Sequence, residues 1–194
     1  MFSAPAEEIA EECLVAHIDG GSRGNPGPAG YGAAIDDAKG HRVAELSDFL
    51  GIQTNNFAEY SGLMAALEYA LKHGHKKLKV ISDSELMVKQ IKGQYKVRSE
   101  ALHDIYTEAK KLIARLEWFR IEHVLRHHNK DADRLANEAM DRGMGKAKLD
   151  RANAYEKPPE MKEVRGFVRG GVVEFVSDTL PDGIFVTVKP ARKP

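Results

Sequence analysis

Three short apolar runs precede any helical periodicity in this chain. Leu14 to Asp19 is the first, Tyr31 to Ile35 the second and Val43 to Leu50 the third, with the turn residues DDAKGH between the last two. The period changes at Phe57. Phe57, Tyr60, Met64, Leu67 and Leu71 recur at helical spacing up to His73, and Gly74 supplies a stop. LKVISD, Leu78 to Asp83, reads as a fourth strand and Ser84 to about Gln94 as a helix. Leu102, Ile105, Ala109, Leu112 and Leu116 mark a second long helix. WFRIEHVL, Trp118 to Leu125, is a fifth strand, and DADRLANEAMDRG is a last helix. The order is βββαβααβα. A hairpin-rich start followed by β/α alternation restricts the chain to an α/β fold, a mixed sheet with helices on both faces.

With 194 residues, 42% of them hydrophobic, the chain can close one domain of ordinary size and keep an appendage. The expected division is a short N-terminal segment over 1–13, a main domain over 14–145, a Pro- and charge-rich linker over 146–163 and a small β-rich extension over 164–194. In the extension Phe167, Val172, Val173, Phe175, Ile184, Phe185 and Val188 are too many apolar residues to leave in water, and PDG marks a turn. From Leu149 to Pro194 eight Lys or Arg face seven Asp or Glu, which argues against an electrostatic nucleic-acid arm. The extension is expected to act by docking on the main domain or by pairing with a second copy.

Formal net charge is zero, so no global field draws the chain to nucleic acid or membrane, and polyanion binding must come from a local patch. A single cysteine, Cys13, excludes an internal disulfide framework and fits a reducing compartment. The acidic start MFSAPAEEIAEEC resembles neither a signal nor a transit peptide, and no stretch approaches a membrane span; the expectation is a cytoplasmic protein with no membrane partner.

Four carboxylates stand at element ends. Asp19 closes the first strand, ahead of a Gly- and Pro-rich stretch, and Asp83 closes the fourth. Glu59 lies early in the first helix and Asp133 early in the last. Each has a local alternative. Asp19 can form a turn, Glu59 can complete a capping box with Asn56, Asp83 can cap the next helix and Asp133 can favour a helix dipole. Together they fit the place where α/β sheets gather functional groups, outside strand ends and at helix starts. Clustered carboxylates stay ionised together only beside cations, and no Lys or Arg stands among the four, so the metal-free cluster is expected to cost stability. Hard oxygen ligands suit Mg²⁺ or Mn²⁺, and two such ions roughly 4 Å apart support in-line attack of water on a phosphodiester.

DGGSRGNPGPAGYG, TNNFAEYSGLMAAL, VISDSELMVKQIKG and HNKDADRLANEAM resemble, in this order, the successive motifs of type 1 ribonuclease H. The resemblance covers about Leu14 to Gly143. It implies a ribonuclease H-like five-stranded mixed sheet with the first three strands antiparallel. It also implies metal-dependent cleavage of the RNA strand of RNA–DNA hybrids, leaving 5′-phosphate and 3′-hydroxyl ends. Asp19, Glu59, Asp83 and Asp133 fall on the family's catalytic, metal-holding acids. Asp19, Asp83 and Glu59 would hold one ion, Asp19 and Asp133 the other. A histidine in the loop before the last helix falls on His127 or His128, of which His127 follows the strand more directly. Recognition of the RNA 2′-OH falls on the loop Gly20, Gly21, Ser22, Arg23 and Asn25 and on Asn55, Asn56 and Glu59, with Thr54 and Asn25 as a phosphate pocket for the DNA strand.

Two departures matter. Glu85 stands where the family often has Gln after Asp-Ser, an acid beside the substrate. KGQYKVRSEAL leaves no room for the basic protrusion of longer members, although Lys89, Lys92, Lys96 and Arg98 form a basic run around Tyr95. That run reads equally as a hybrid-phosphate contact or a solvated helix face. Double-stranded RNA stays open as a second substrate. The rival readings are another nuclease of the same fold and a non-catalytic hybrid-binding module.

Overall fold

The structure is a computed structural model that describes residues 13–145 together with the backbone of 166–169 and 172–175. Five strands form one sheet: β1 Leu14–Ser22, β2 Gly27–Asp36, β3 Arg42–Gln53, β4 Lys77–Ser82 and β5 Trp118–His123. Their order is β3-β2-β1-β4-β5. The first three strands pair antiparallel, and β4 and β5 run parallel to β1. The helices are α1 Asn55–Lys72, α2 Glu85–Ile91, α3 His103–Ile113 and α4 Lys130–Gly143. Short 3-10 turns at Glu100–Leu102 and Arg126–His128 lead into α3 and α4.

The hairpin of β1 and β2 corrects the reading of the Gly/Pro stretch as a loop. β1 continues to Ser22 and β2 begins at Gly27, with Gly20 opposite Tyr31 and Gly21 opposite Gly30. Packing from both sides demands these glycines. A Cβ on Gly20 would lie 2.1 Å from the Ala58 carbonyl carbon of α1, and one on Gly32 would lie 2.4 Å from the Ala132 carbonyl oxygen of α4. Successive strand residues point to opposite faces. Gly20 therefore faces α1, while Gly21 lies against Met140 of α4.

The principal core lies between the sheet and α1, α2 and α3. Leu14, Ala16, Ile18 and Ile35 of the sheet pack there with Leu63, Leu67, Met87 and Leu112. Tyr60, buried in this core, donates its hydroxyl to Gln90 Oε1 at 2.9 Å and so ties α1 to α2. α1 ends as its sequence predicts: the chain turns at Gly74, whose φ of +79° is the left-handed conformation that favours glycine. α2 is shorter than expected, ending at Ile91, and β5 stops at His123 instead of Leu125.

Two compact units divide the chain, residues 1–152 and 153–194. In the second, β6 Gly166–Arg169 and β7 Val172–Phe175 pair antiparallel, as a hairpin-like segment should. The expected linker and the PDG turn lie outside the described residues.

Candidate active site

The sheet brings the first two acids together. β1 and β4 are adjacent and parallel, with Ile18 in register with Ser82. Asp19, the next residue of β1, and Asp83, the first residue beyond β4, therefore lie side by side. Asp19 sits inside β1, opposite Gly32, and is no turn former. Its Oδ1 accepts from the Gly20 amide at 2.8 Å. Asp83 does not cap α2. Ser84 does, its Oγ accepting from the Met87 amide at 3.3 Å, which leaves Asp83 free for the site.

Glu59 comes from the first turns of α1. The cap of that helix is Thr54, whose Oγ1 accepts from the Phe57 amide at 3.3 Å, so no capping box links Asn56 to Glu59. Both Glu59 oxygens are held instead. Asn55 Nδ2 donates to Oε1 at 2.9 Å, and the Ser84 hydroxyl donates to Oε2. The cap of α2 is thus also the bridge to the acid of α1.

Asp133 lies in the first turn of α4. Arg126 Nη2 donates to its Oδ1 at 2.6 Å, and Asn137 Nδ2 lies 3.3 Å from its Oδ2. This overturns the expectation of a cluster without a compensating cation. Arg126 lies seven residues before Asp133 in sequence, and the Arg126–His128 turn folds it back onto the acid. Asn129, only 1% exposed, closes the site from beneath. Its Nδ2 donates to Ile18 O at 2.9 Å and to Asp83 Oδ1 at 3.1 Å. Its Oδ1 has no hydrogen-bond partner among the described residues. Sequence reasoning missed both Arg126 and Asn129. An Asn directly before a helix was the available signal, although this one spends its side chain on the site and not on the cap.

The electrostatics agree with this geometry. Burial, then the Asp83 charge, push the Asp19 carboxyl up to about 7; Asp133 adds to the push, while the Gly20 amide and Arg126 oppose it. Burial raises Glu59 to about 7 as well, with Asp83 adding and the Ser84 and Asn55 hydrogen bonds opposing. Asp83 and Asp133 thus both act on Asp19, and Asp83 also acts on Glu59. Among the described residues no group of three acidic, His or Cys side chains forms a ready-made metal cage. The donor set is nonetheless all carboxylate oxygen, and the raised Asp19 and Glu59 carboxyls are groups that a nearby cation would return to the ionised form. Both properties fit a hard divalent ion.

His127 and His128 are exposed and stack on each other with ring centroids 3.9 Å apart. Neither bonds to the four acids among the described residues; from that turn it is Arg126 that reaches them. Of the other candidates, Gly20, Gly21 and Ser22 belong to β1. Arg23 pairs with Asp141 at 2.6 Å, and Asn25 Oδ1 accepts from the Asn55 amide at 3.2 Å, which fastens the hairpin tip to α4 and α1. Asn56 follows in the first turn of α1. Within the basic run, Lys89 pairs with Glu85 one turn earlier at 2.7 Å and lies over the Tyr95 ring. Lys92 caps the end of α2 and Lys96 is exposed beyond it, so the run is not one helix face.

Residues 17–139 match a family model described as reverse transcriptase-like. The crystal structure of RNase H1 from Halobacterium salinarum superposes with a TM-score of 0.65 at 41% identity, covering 67% of this chain and 98% of that one. The chain belongs to the type 1 ribonuclease H family. A second ribonuclease H of this type, LC11-RNase H1, was solved in complex with an RNA/DNA hybrid and matches with a TM-score of 0.64 at 39% identity, over 68% of this chain and 99% of that one. A bifunctional protein of Mycobacterium tuberculosis is 45% identical over 138 residues, 71% of this chain. The match spans only 38% of that relative's length. The ribonuclease H fold expected from the motifs, a five-stranded mixed sheet whose first three strands are antiparallel, is the fold observed.

Proposed function

We propose that this chain is a metal-dependent endoribonuclease that hydrolyses the RNA strand of RNA–DNA hybrids, leaving 5′-phosphate and 3′-hydroxyl ends. The observation that carries the reading is the convergence of the carboxylates: Asp19 and Asp83 lie on adjacent parallel strands, Ser84 ties Glu59 to the same strand end, and the half-buried Asp19 also feels Asp133. A ribonuclease H chain keeps such an arrangement, at a cost in stability, when a divalent cation offsets the charge in the working state. Asp19, Glu59, Asp83 and Asp133 would hold two ions, Mg²⁺ by hardness with Mn²⁺ as the alternative. When bound, such ions activate water and neutralise charge on the phosphodiester.

The chain's own residues do the rest. Asn55 and Ser84 orient Glu59, and Asn129 orients Asp83, so these carboxylates need little reorganisation. Backbone groups of Gly20 to Asn25, with Asn55, Asn56 and Glu59, read the 2′-OH, and Thr54 with Asn25 receives a DNA phosphate. Lys92 and Lys96 contact backbone phosphates, with Lys89 joining when it leaves Glu85. His127 serves proton transfer or product release from its exposed turn. The extension over 164–194 docks on the catalytic unit or pairs with a second copy, and double-stranded RNA stays open as a second substrate. No helix among the described residues is long and apolar enough to cross a membrane, and we place the protein in the cytoplasm.

A cleavage assay on RNA–DNA hybrid, double-stranded RNA and single-stranded RNA, with Mg²⁺, Mn²⁺ or chelator, tests the reading. Hybrid should be cut only with metal, and Asp19→Asn should abolish the cut. Full activity in that variant, or cutting in chelator, would sink it.

A further inference from the structure

The turn between β5 and α4 carries a cation into the acid cluster. Arg126 Nη2 lies 2.6 Å from Asp133 Oδ1, and the charges of Asp19 and Asp83 also act on the guanidinium. The turn is anchored to the site, not draped beside it. The Asn129 amide bonds to Arg126 O at 2.9 Å and the Asp133 amide to Asn129 O at 3.1 Å. The buried Asn129 side chain fixes the same turn to Ile18 and Asp83. Asp133 is therefore the member of the cluster whose carboxylate is committed to a cation of the protein itself. Arg126 is nonetheless 76% exposed along its side chain, so it can swing into solvent without opening the core.

We propose that Arg126 is the resident counter-ion of the acid cluster: it neutralises Asp133 in the metal-free protein, and a divalent cation must displace it from that carboxylate to bind there. The inference rests on the metal-site reading above. It makes Arg126 a positioning residue that sets metal affinity. An exposed pair of this kind is a weak competitor, so the cation is held back only modestly, and added salt narrows the effect.

Calorimetric titration of the full chain with MnCl₂, without nucleic acid, reads the competition directly. Arg126→Gln should bind Mn²⁺ about three- to fivefold more tightly than wild type. Arg126→Lys keeps the charge and should stay within about twofold of wild type. In an Asp133→Asn background the gain from Arg126→Gln should vanish, because the contact being relieved is already gone. Asp19→Asn separates the two readings. If it leaves Mn²⁺ binding unchanged, the metal site and the counter-ion fall together. If it abolishes binding while Arg126→Gln binds no more tightly than wild type, only the counter-ion is overturned. A gain that persists in Asp133→Asn also overturns it, since Arg126 would then act through the general field.

Discussion

On one face of the sheet, α1 packs through large side chains: Ile18, Ile35, Tyr60, Leu63 and Leu67 are all fully buried. On the other, α4 sits on glycines. Gly21, Gly30 and Gly32 admit Met140, Ala139 and the α4 backbone at Ala132 and Ala136. The border of that second face is charged. Arg42 reaches Asp131 at 2.7 Å, Arg134 reaches Glu45 at 3.0 Å and Arg23 reaches Asp141 at 2.6 Å. The difference falls across the acids. Asp19, Asp83 and Glu59 ride on elements locked by the apolar core, whereas Asp133 rides on a helix seated by close backbone approach and surface charge. Apart from Gly20, which admits the α1 backbone at Ala58 beside Asp19, the first three acids are fixed by volume and the fourth by its absence.

The comparison can be broken sterically. Gly32→Ala places a Cβ 2.4 Å from Ala132 O and 2.6 Å from the Ala136 amide nitrogen, both backbone atoms that cannot rotate away. It should cost about 3 kcal/mol in denaturant unfolding and, by shifting α4, lower kcat in the fraction that folds. Leu63→Ala, on the other face, should cost a similar amount, about 3 kcal/mol, through a cavity, with kcat of the folded fraction nearly unchanged. Equal kcat in both variants would erase the distinction between the faces.

A smaller effect belongs to the border. Arg42 bonds to Asp36, Glu45 and Asp131 together, so Arg42→Ala should cost about 1 kcal/mol, measured as a change in unfolding midpoint that fades in about 1 M salt. The smallest change is expected outside both faces. Replacing Lys89, Lys92 and Lys96 with Ala should raise KM for hybrid and flatten its salt dependence while leaving kcat in place. Because Lys89 is already paired with Glu85, Lys92 and Lys96 should carry most of that slope, and single variants measured across salt would reveal it.

The same contrast explains what could be read from the chain alone. Core strands and α1 are legible because large apolar residues repeat at the period of their element. The β1–β2 hairpin was cut short because Gly20, Gly21, Gly27 and Gly30 look like loop chemistry. Gly27 is glycine because of the hairpin's own Arg23, but Gly20, Gly21 and Gly30 are glycine because of helices distant in sequence, and no local pattern reports that. Asp19, Asp83 and Asp133 stood out because each ends a strand or opens a helix. The helix caps fall one or two residues from the alternatives the sequence offers, on Thr54 rather than Asn56 and on Ser84 rather than Asp83, since Ser, Thr, Asn and Asp compete for the same role. Arg126 was hidden because its charge matters only after a 3-10 turn folds it back onto Asp133, and the two histidines beside it drew the chemical reading.

The central claim is that Asp19 is kept at a cost where burial, and then the Asp83 and Asp133 carboxylates, act on it. Its carboxyl is pushed up to about 7 in the folded chain, above its ordinary value. The folded state therefore holds a proton that the unfolded state releases, and stability falls as pH rises from about 4 to about 7. Removing the charge should lift that penalty only where it exists. The deciding measurement is the unfolding free energy of Asp19→Asn against wild type, in chelator, across this range. The account predicts a variant more stable by about 2 kcal/mol near pH 8, with the gain shrinking toward zero near pH 4. A variant no more stable than wild type at the higher pH, or a gain that does not change with pH, would contradict it.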